Sequence, residues 1–178
     1  MPYDYQQGPI RIRSITPADT PDILVWRNHP DVRKNFLSDA EITQENHTGW
    51  LTSQVDTGRC HQFIIESQGT PVGSVFLKSI EPDHHKAEFG IFLSVAAQGQ
   101  GIGTQAARLI LRHAFDTLGL ERVYLCVLAI NPGAIRSYEK AGFRQEGVFR
   151  KDLWRGDTAI DMVNMAILRE EWLEGANQ

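Results

Sequence analysis

The sequence predicts a mixed α/β (α+β) fold in one domain. Two hairpins precede and follow a single β-α-β unit, which is not the repeated β-α order of a doubly wound Rossmann sheet. A length of 178 residues suits one well-buried core and is short for two. The central unit reads directly from its periodicities. Phe89, Ile91 and Leu93 alternate as in a strand, whereas Ala107, Ile110, Leu111, Ala114 and Leu118 recur at helical spacing.

Taken in order, residues 1–8 are expected to be a loose tail, and IRIRSI a first strand with Ile10, Ile12 and Ser14 on one face. Thr20-Pro21 opens a helix, because proline is favoured at the first helical position, and that helix should stop near Asn28, ahead of Pro30. A short turn, DVRKNF, follows, and Thr43 caps a helix carrying His47, Trp50, Leu51 and Gln54 on one side. HQFIIES and TPVGSVFLKSI form a hairpin about Gln68 and Gly69, and KAEFGIFL makes a further antiparallel strand. Beyond a glycine-dense turn comes a helix ended by Gly119, then the strand RVYLCVLAI. Asn131-Pro132 opens a helix closed at Gly142, a hairpin turns at Arg155-Gly156-Asp157, and REEWLEGANQ adds a short helical tail.

Composition narrows the function. Hydrophobic residues make up 42% and charged residues 22%, ordinary for a globular domain, and the formal net charge of -4 points away from nucleic acid and anionic membranes as partners. No apolar run reaches membrane length, and MPYDYQQGPI lacks the basic and apolar regions of a signal peptide. Cys60 and Cys126 are isolated, so a reducing cytoplasm is the expected compartment. His84-His85 and Cys60-His61 have no companions at metal spacing, so no metal is expected.

The chemistry centres on Gln98 to Thr104, QGQGIGT. Glycines at 99, 101 and 103 let a ligand approach the backbone and allow positive φ. Amides at a helix start, backed by the helix dipole, make an anion site, and a pyrophosphate is the inferred ligand. Gly101, Gly103 and Ala106 also satisfy G-x-G-x-x-A, but no acidic residue closes the next strand as a dinucleotide site requires. No lysine follows the glycines, so the turn is not a P-loop.

Gln98-x-x-Gly101-x-Gly103 resembles the acyl-coenzyme A signature of the GCN5-related N-acetyltransferases (GNAT). A second marker follows in the right order: VLAINPGAIRSYEKAGFRQEG is similar to the family segment in which an Asn opens a helix carrying a Tyr and ending in Lys-x-Gly-Phe. Asn131, Ala134, Tyr138, Glu139, Lys140, Gly142 and Phe143 match it. WRNHPDVRKNF and the region 147–168 look most like the branch of ribosomal-protein N-terminal, spermidine and UDP-amino-sugar acetyltransferases, the last of the pseudaminic acid pathway. The resemblance implies a mixed, mostly antiparallel central sheet with splayed central strands, flanked by about four helices, and acetyl-CoA (coenzyme A) lying in the V. Leu93 and Val95 would meet the pantetheine arm, Gln98, Gly99, Gln100, Gly101, Ile102, Gly103 and Thr104 the pyrophosphate, Asn131 the cofactor arm, and Tyr138 would sit near the sulfur.

Direct attack of an amine on a thioester needs a group that takes a proton, a donor for the oxyanion and an acid for the departing thiolate. Glu88 is the candidate base, beside Gly90 whose bareness leaves room; Tyr138 is the candidate acid; amides around Ile91 to Leu93 are candidate oxyanion donors. Arg27 and His47 are candidate acceptor contacts, for instance to a nucleotide-sugar phosphate. Each has a competing structural role: helix N-cap for Asn131, core aromatic for Tyr138, ion pair for Glu88, surface charge for Arg27, partly buried imidazole beside Trp50 for His47. The expected function is acetyl transfer to the primary amine of a small-molecule acceptor such as an amino-sugar nucleotide. A protein N-terminus is the alternative acceptor, a CoA-sensing module without turnover the alternative class, and a homodimer is compatible with either.

Overall fold

The structure, a computed structural model, describes residues 2–176. Eight strands form one sheet: β1 (Asp4–Gln7), β2 (Ile10–Ser14), β3 (His61–Ser67), β4 (Thr70–Glu81), β5 (Lys86–Leu93), β6 (Arg122–Leu128), β7 (Arg144–Arg155) and β8 (Thr158–Leu168). Their order is β1-β2-β3-β4-β5-β6-β8-β7. Every neighbouring pair is antiparallel except β5 and β6, so the mostly antiparallel sheet expected from the sequence is the one observed. The helices are α1 (Thr20–Asn28), α2 (Pro30–Arg33), α3 (Gln44–Trp50), α4 (Ile102–Arg112), α5 (Pro132–Ala141) and α6 (Arg169–Ala176). Among the described residues, no helix is long and apolar enough to cross a membrane.

Most local signals act as read. Gln68 and Gly69 both take positive φ, as a two-residue hairpin turn requires. The Thr43 hydroxyl accepts from the Asn46 amide at 3.1 Å and starts α3, and Gly142 at φ 111° ends α5. One expectation is overturned. Residues 4–7 are an edge strand, because Gly8 turns the chain at φ 57° and lays it back on β2. Tyr3 and Tyr5 then pack against the main core, which a loose tail could not do.

Alternation divides β5 between two cores. Ala87, Phe89, Ile91 and Leu93 face the layer of α4 and α5; Lys86, Glu88, Gly90 and Phe92 face the layer of α1 to α3. The first layer holds the large core, with Ile12, Leu77, Phe89, Ala107, Ile110, Val123 and Met165 buried. The second is smaller, built from Ile15, Ile23, Val32, Leu51, Ile64 and Phe92.

The helix that follows the glycine turn is anchored at its far end by a buried polar chain. His113 lies 2.8 Å from Tyr5 Oη through Nδ1 and 2.8 Å from His61 Nδ1 through Nε2, with its ring fully buried. Burial, and then the neighbouring His61, push the His113 imidazole down to about 4. The unfolded chain therefore binds a proton that the folded chain refuses. Stability from this group is complete above about pH 6.5 and lost as pH falls through about 4, up to about 3 kcal/mol for a shift of this size. His113→Leu should flatten the urea-unfolding free energy over that window; an unchanged pH slope would show that His113 is not the group responsible.

Candidate functional site

The central strands part where the sequence resemblance expects them to. β5 and β6 pair only from Lys86↔Arg122 to Glu88↔Tyr124, yet β5 continues to Leu93 and β6 to Leu128. Each remains paired on its outer side, β5 with β4 and β6 with β8, so the two diverge as the prongs of a fork. The facing edges beyond Glu88 carry backbone groups with no ladder partner, and such groups require water or a ligand.

β5 leads into a turn at Val95–Ala97 and then into the glycine segment. The amides of six consecutive residues, Gly99 to Thr104, donate to no acceptor among the described residues; the next, Gln105, donates to Gly101 O at 3.3 Å. Gly99 at φ 73° and Gly101 at φ 76° are left-handed, and a Cβ on either would meet open space. Gly103 is different. It lies in the first turn of α4 with ordinary helical φ, and a Cβ there would sit 3.5 Å from Ser137 Oγ and 3.6 Å from a Leu93 methyl. Its expected positive φ is therefore not observed, and a methyl group there would meet its neighbours only at ordinary contact distance. Thr104 Oγ1 and Ser137 Oγ, 2.9 Å apart, join α4 to α5. Gln98 and Gln100 donate their side-chain amides to Leu93 O (3.3 Å) and Ala96 O (2.6 Å), so they brace the loop from within. Six free N–H groups at a dipole's positive end suit a pyrophosphate.

Leu93 closes β5 and Val95 stands exposed just beyond it, both at the mouth of the fork. Asn131 Oδ1 accepts from the Ala134 amide at 3.2 Å, which makes it the N-cap of α5, and its amide nitrogen has no acceptor among the described residues. Tyr138 packs edge-on to Phe89 (5.5 Å) and Phe143 (6.1 Å) on the α5 side of the sheet. Its hydroxyl makes no hydrogen bond to the described residues, and burial raises its pKa, so it stays protonated.

Glu88 projects from the opposite face and forms an ion pair with Lys78, Nζ to Oε1 3.1 Å. The room expected over Gly90 is occupied. The Phe76 ring lies there, so close that a Cβ at Gly90 would come within 2.3 Å of it. Arg27 and His47 are also placed otherwise than expected. Both are buried: Arg27 stacks on the Phe36 ring (3.5 Å to its centre) and donates Nη2 to Ser38 O (3.1 Å), while His47 Nδ1 meets Thr20 Oγ1 at 3.0 Å between α3 and α1. Neither presents an open contact surface to an acceptor, because the segment 34–43 folds over Arg27 and α1 covers His47. Arg155, in the last hairpin, was not singled out by the sequence. It donates to Lys34 O and Phe36 O and so ties that segment to β7.

Comparison with known proteins agrees with this geometry. Residues 10–144 match the family described as acetyltransferase (GNAT) domain. A spermidine N(1)-acetyltransferase of Escherichia coli (strain K12) is 34% identical over 112 residues, covering 63% of this chain and 60% of that protein. The chain thus spans about three fifths of that relative's length. A prophage-derived N-acetyltransferase of Bacillus subtilis (strain 168), itself uncharacterized, is 27% identical over 92% of both chains. Among solved structures, the spermidine N-acetyltransferase of Vibrio cholerae in complex with CoA and spermine superposes with a TM-score of 0.87 over 94% of this chain and 99% of that one, at 23% identity, which shows a shared fold.

Gly101→Ala should weaken acetyl-CoA binding tenfold or more by calorimetry, because a methyl group enters the ligand's space and the left-handed φ costs about 1 kcal/mol. Gly103→Ala should leave thermal stability nearly unchanged. Equal affinity in Gly101→Ala would place the phosphates elsewhere.

Proposed function

This chain belongs to the acetyltransferase (GNAT) domain family, and from that premise we propose that it transfers acetyl from acetyl-CoA to the primary amine of a small molecule, by direct attack in a ternary complex. The observation that carries the reading is the fork beside six unengaged amides. The amides of Gly99 to Thr104 bind the pyrophosphate, and the pantetheine runs along the free edge of β5 past Leu93 and Val95, with the Asn131 amide donating to it.

Tyr138 and Glu88 lie on opposite faces of β5. In a continuous sheet they could not serve one reaction. A thioester threaded through the fork puts its sulfur toward Tyr138 and its carbonyl carbon toward the layer of Glu88. The acceptor's ammonium loses a proton to Glu88, the neutral amine attacks the carbonyl, and an amide of β5 between Ile91 and Leu93 donates to the oxyanion. Collapse expels the thiolate, Tyr138, still protonated, gives it a proton, and the second proton shed by the attacking nitrogen passes through water to restore the Tyr138 hydroxyl. No enzyme nucleophile is required, and Cys126 is assigned none.

For the acceptor we infer an amine whose body carries anionic groups, such as an amino-sugar nucleotide. What supports this is that Arg27 and Arg155, on either side of segment 34–43, have no carboxylate partner among the described residues, whereas Arg33 and Lys34 are paired with Glu41 and Asp31. A polyamine is the second reading, favoured by the spermidine-acetylating relative in E. coli. CoA release should be measured with a UDP-4-amino sugar, spermidine and a peptide with a free N-terminus. A faster rate on spermidine would reverse the order of the two readings, a faster rate on the peptide would make a protein N-terminus the acceptor, and tight cofactor binding without turnover on any of them would leave only a CoA-binding module.

Tyr138→Phe should lower kcat about tenfold to a thousandfold while leaving acetyl-CoA affinity within about twofold, and Glu88→Gln should behave likewise. An undiminished kcat in either variant removes that residue from the mechanism.

A further inference from the structure

The base and its counter-ion sit where the fork closes. Register places Lys78 of β4 opposite Glu88 of β5, and Glu88 opposite Tyr124 of β6 at the last rung before the strands separate. Lys78 reaches across to Glu88 at 3.1 Å, and both side chains keep partial access to solvent, 35% and 24%. We propose that Lys78 is a positioning residue for Glu88: its ion pair holds the carboxylate on the acceptor face until the acceptor's ammonium takes its place. This rests on the reading of Glu88 as proton acceptor.

The neighbouring charges give Lys78 this role. Lys86 pairs with Glu81, and Arg122 pairs with Glu146, while both lie over the Tyr124 ring at 5.9 Å. Neither nearby cation is therefore committed to Glu88. The remaining groups on this face, Tyr124, Cys126 and Asp152, are neutral or negative. Burial, and next the charge of Glu88, raise the Tyr124 phenol and the Cys126 thiol, and Asp152 adds to the effect on Cys126. A primary ammonium is also the group an amine acceptor brings. Lys78 thus occupies in the free protein the position the acceptor must take, and its four-carbon stem lets it swing aside.

The test compares wild type, Lys78→Met and Lys78→Arg. Carbon-13 resonances of labelled glutamates, with Glu88 assigned by its loss in Glu88→Gln, give the titration midpoint of the carboxyl group directly. The pH profile of kcat/KM, measured with spermidine or the UDP-amino sugar, whichever is faster, gives the acid limb. In Lys78→Met the midpoint should rise and the acid limb with it, and Lys78→Arg should restore most of both. An unmoved midpoint overturns the proposal. A midpoint that moves while the acid limb stays also overturns it, and then the fault lies with Glu88 as base, which an undiminished kcat in Glu88→Gln would show independently.

Discussion

A parallel pairing that ends after a few rungs governs the rest of this molecule. β5 is held along its length by β4, and β6 along its length by β8, so the two halves of the sheet are each satisfied outwardly and meet only from Lys86 to Glu88. The unpaired inner edges are an uncompensated demand for hydrogen bonds. A continuous sheet would separate the layer of Tyr138 from the layer of Glu88. The opening leaves a gap in the sheet that borders both layers.

The fork does not act alone, since a ligand entering it must be held at a fixed depth. β5 hands over to α4 through Gly99 and Gly101, whose left-handed backbones turn successive amides outward. The helix that bears this loop is buried through Ala106, Ala107, Ile110 and Leu111, and its far end engages Tyr5 and His61 through His113. A rigid helix keeps its amide groups oriented before the ligand arrives, which is the condition under which electrostatic stabilisation is effective.

The layer of α1 to α3 is built differently. Segment 34–43 is held through its backbone by side chains from three places: Arg27 on Ser38, Asn28 on both polar groups of Ile42, and Arg155 on Lys34 and Phe36. Phe36 in turn meets Phe92 of β5 at 5.8 Å. A cover tied by hydrogen bonds to its backbone can change side chains without losing its shape. That arrangement suits a family whose members share a fold and acetylate different amines.

Local signals in this chain are legible because they act within a few residues. The alternation of β5, the hairpin at Gln68-Gly69, the Thr43 and Asn131 caps, the Gly142 stop and the glycine turn are each read from short spacings, and each is found in place. The same spacings carry the family and the loop of unengaged amides. What they could not carry is register. An irregularity between Lys78 and Glu81, with Ser79 at φ 49°, shifts β4 against β5, so neither the Lys78 pairing with Glu88 nor the Phe76 ring over Gly90 follows from counting residues. Burial of Arg27 and His47 depends on how segment 34–43 and α1 close over them, and the strand at 4–7 depends on a core that exists only once the chain has collapsed. Short-range backbone preferences therefore determine the elements and the glycine turn, whereas partners distant in sequence, chosen by packing, decide which charged groups meet where β5 and β6 part.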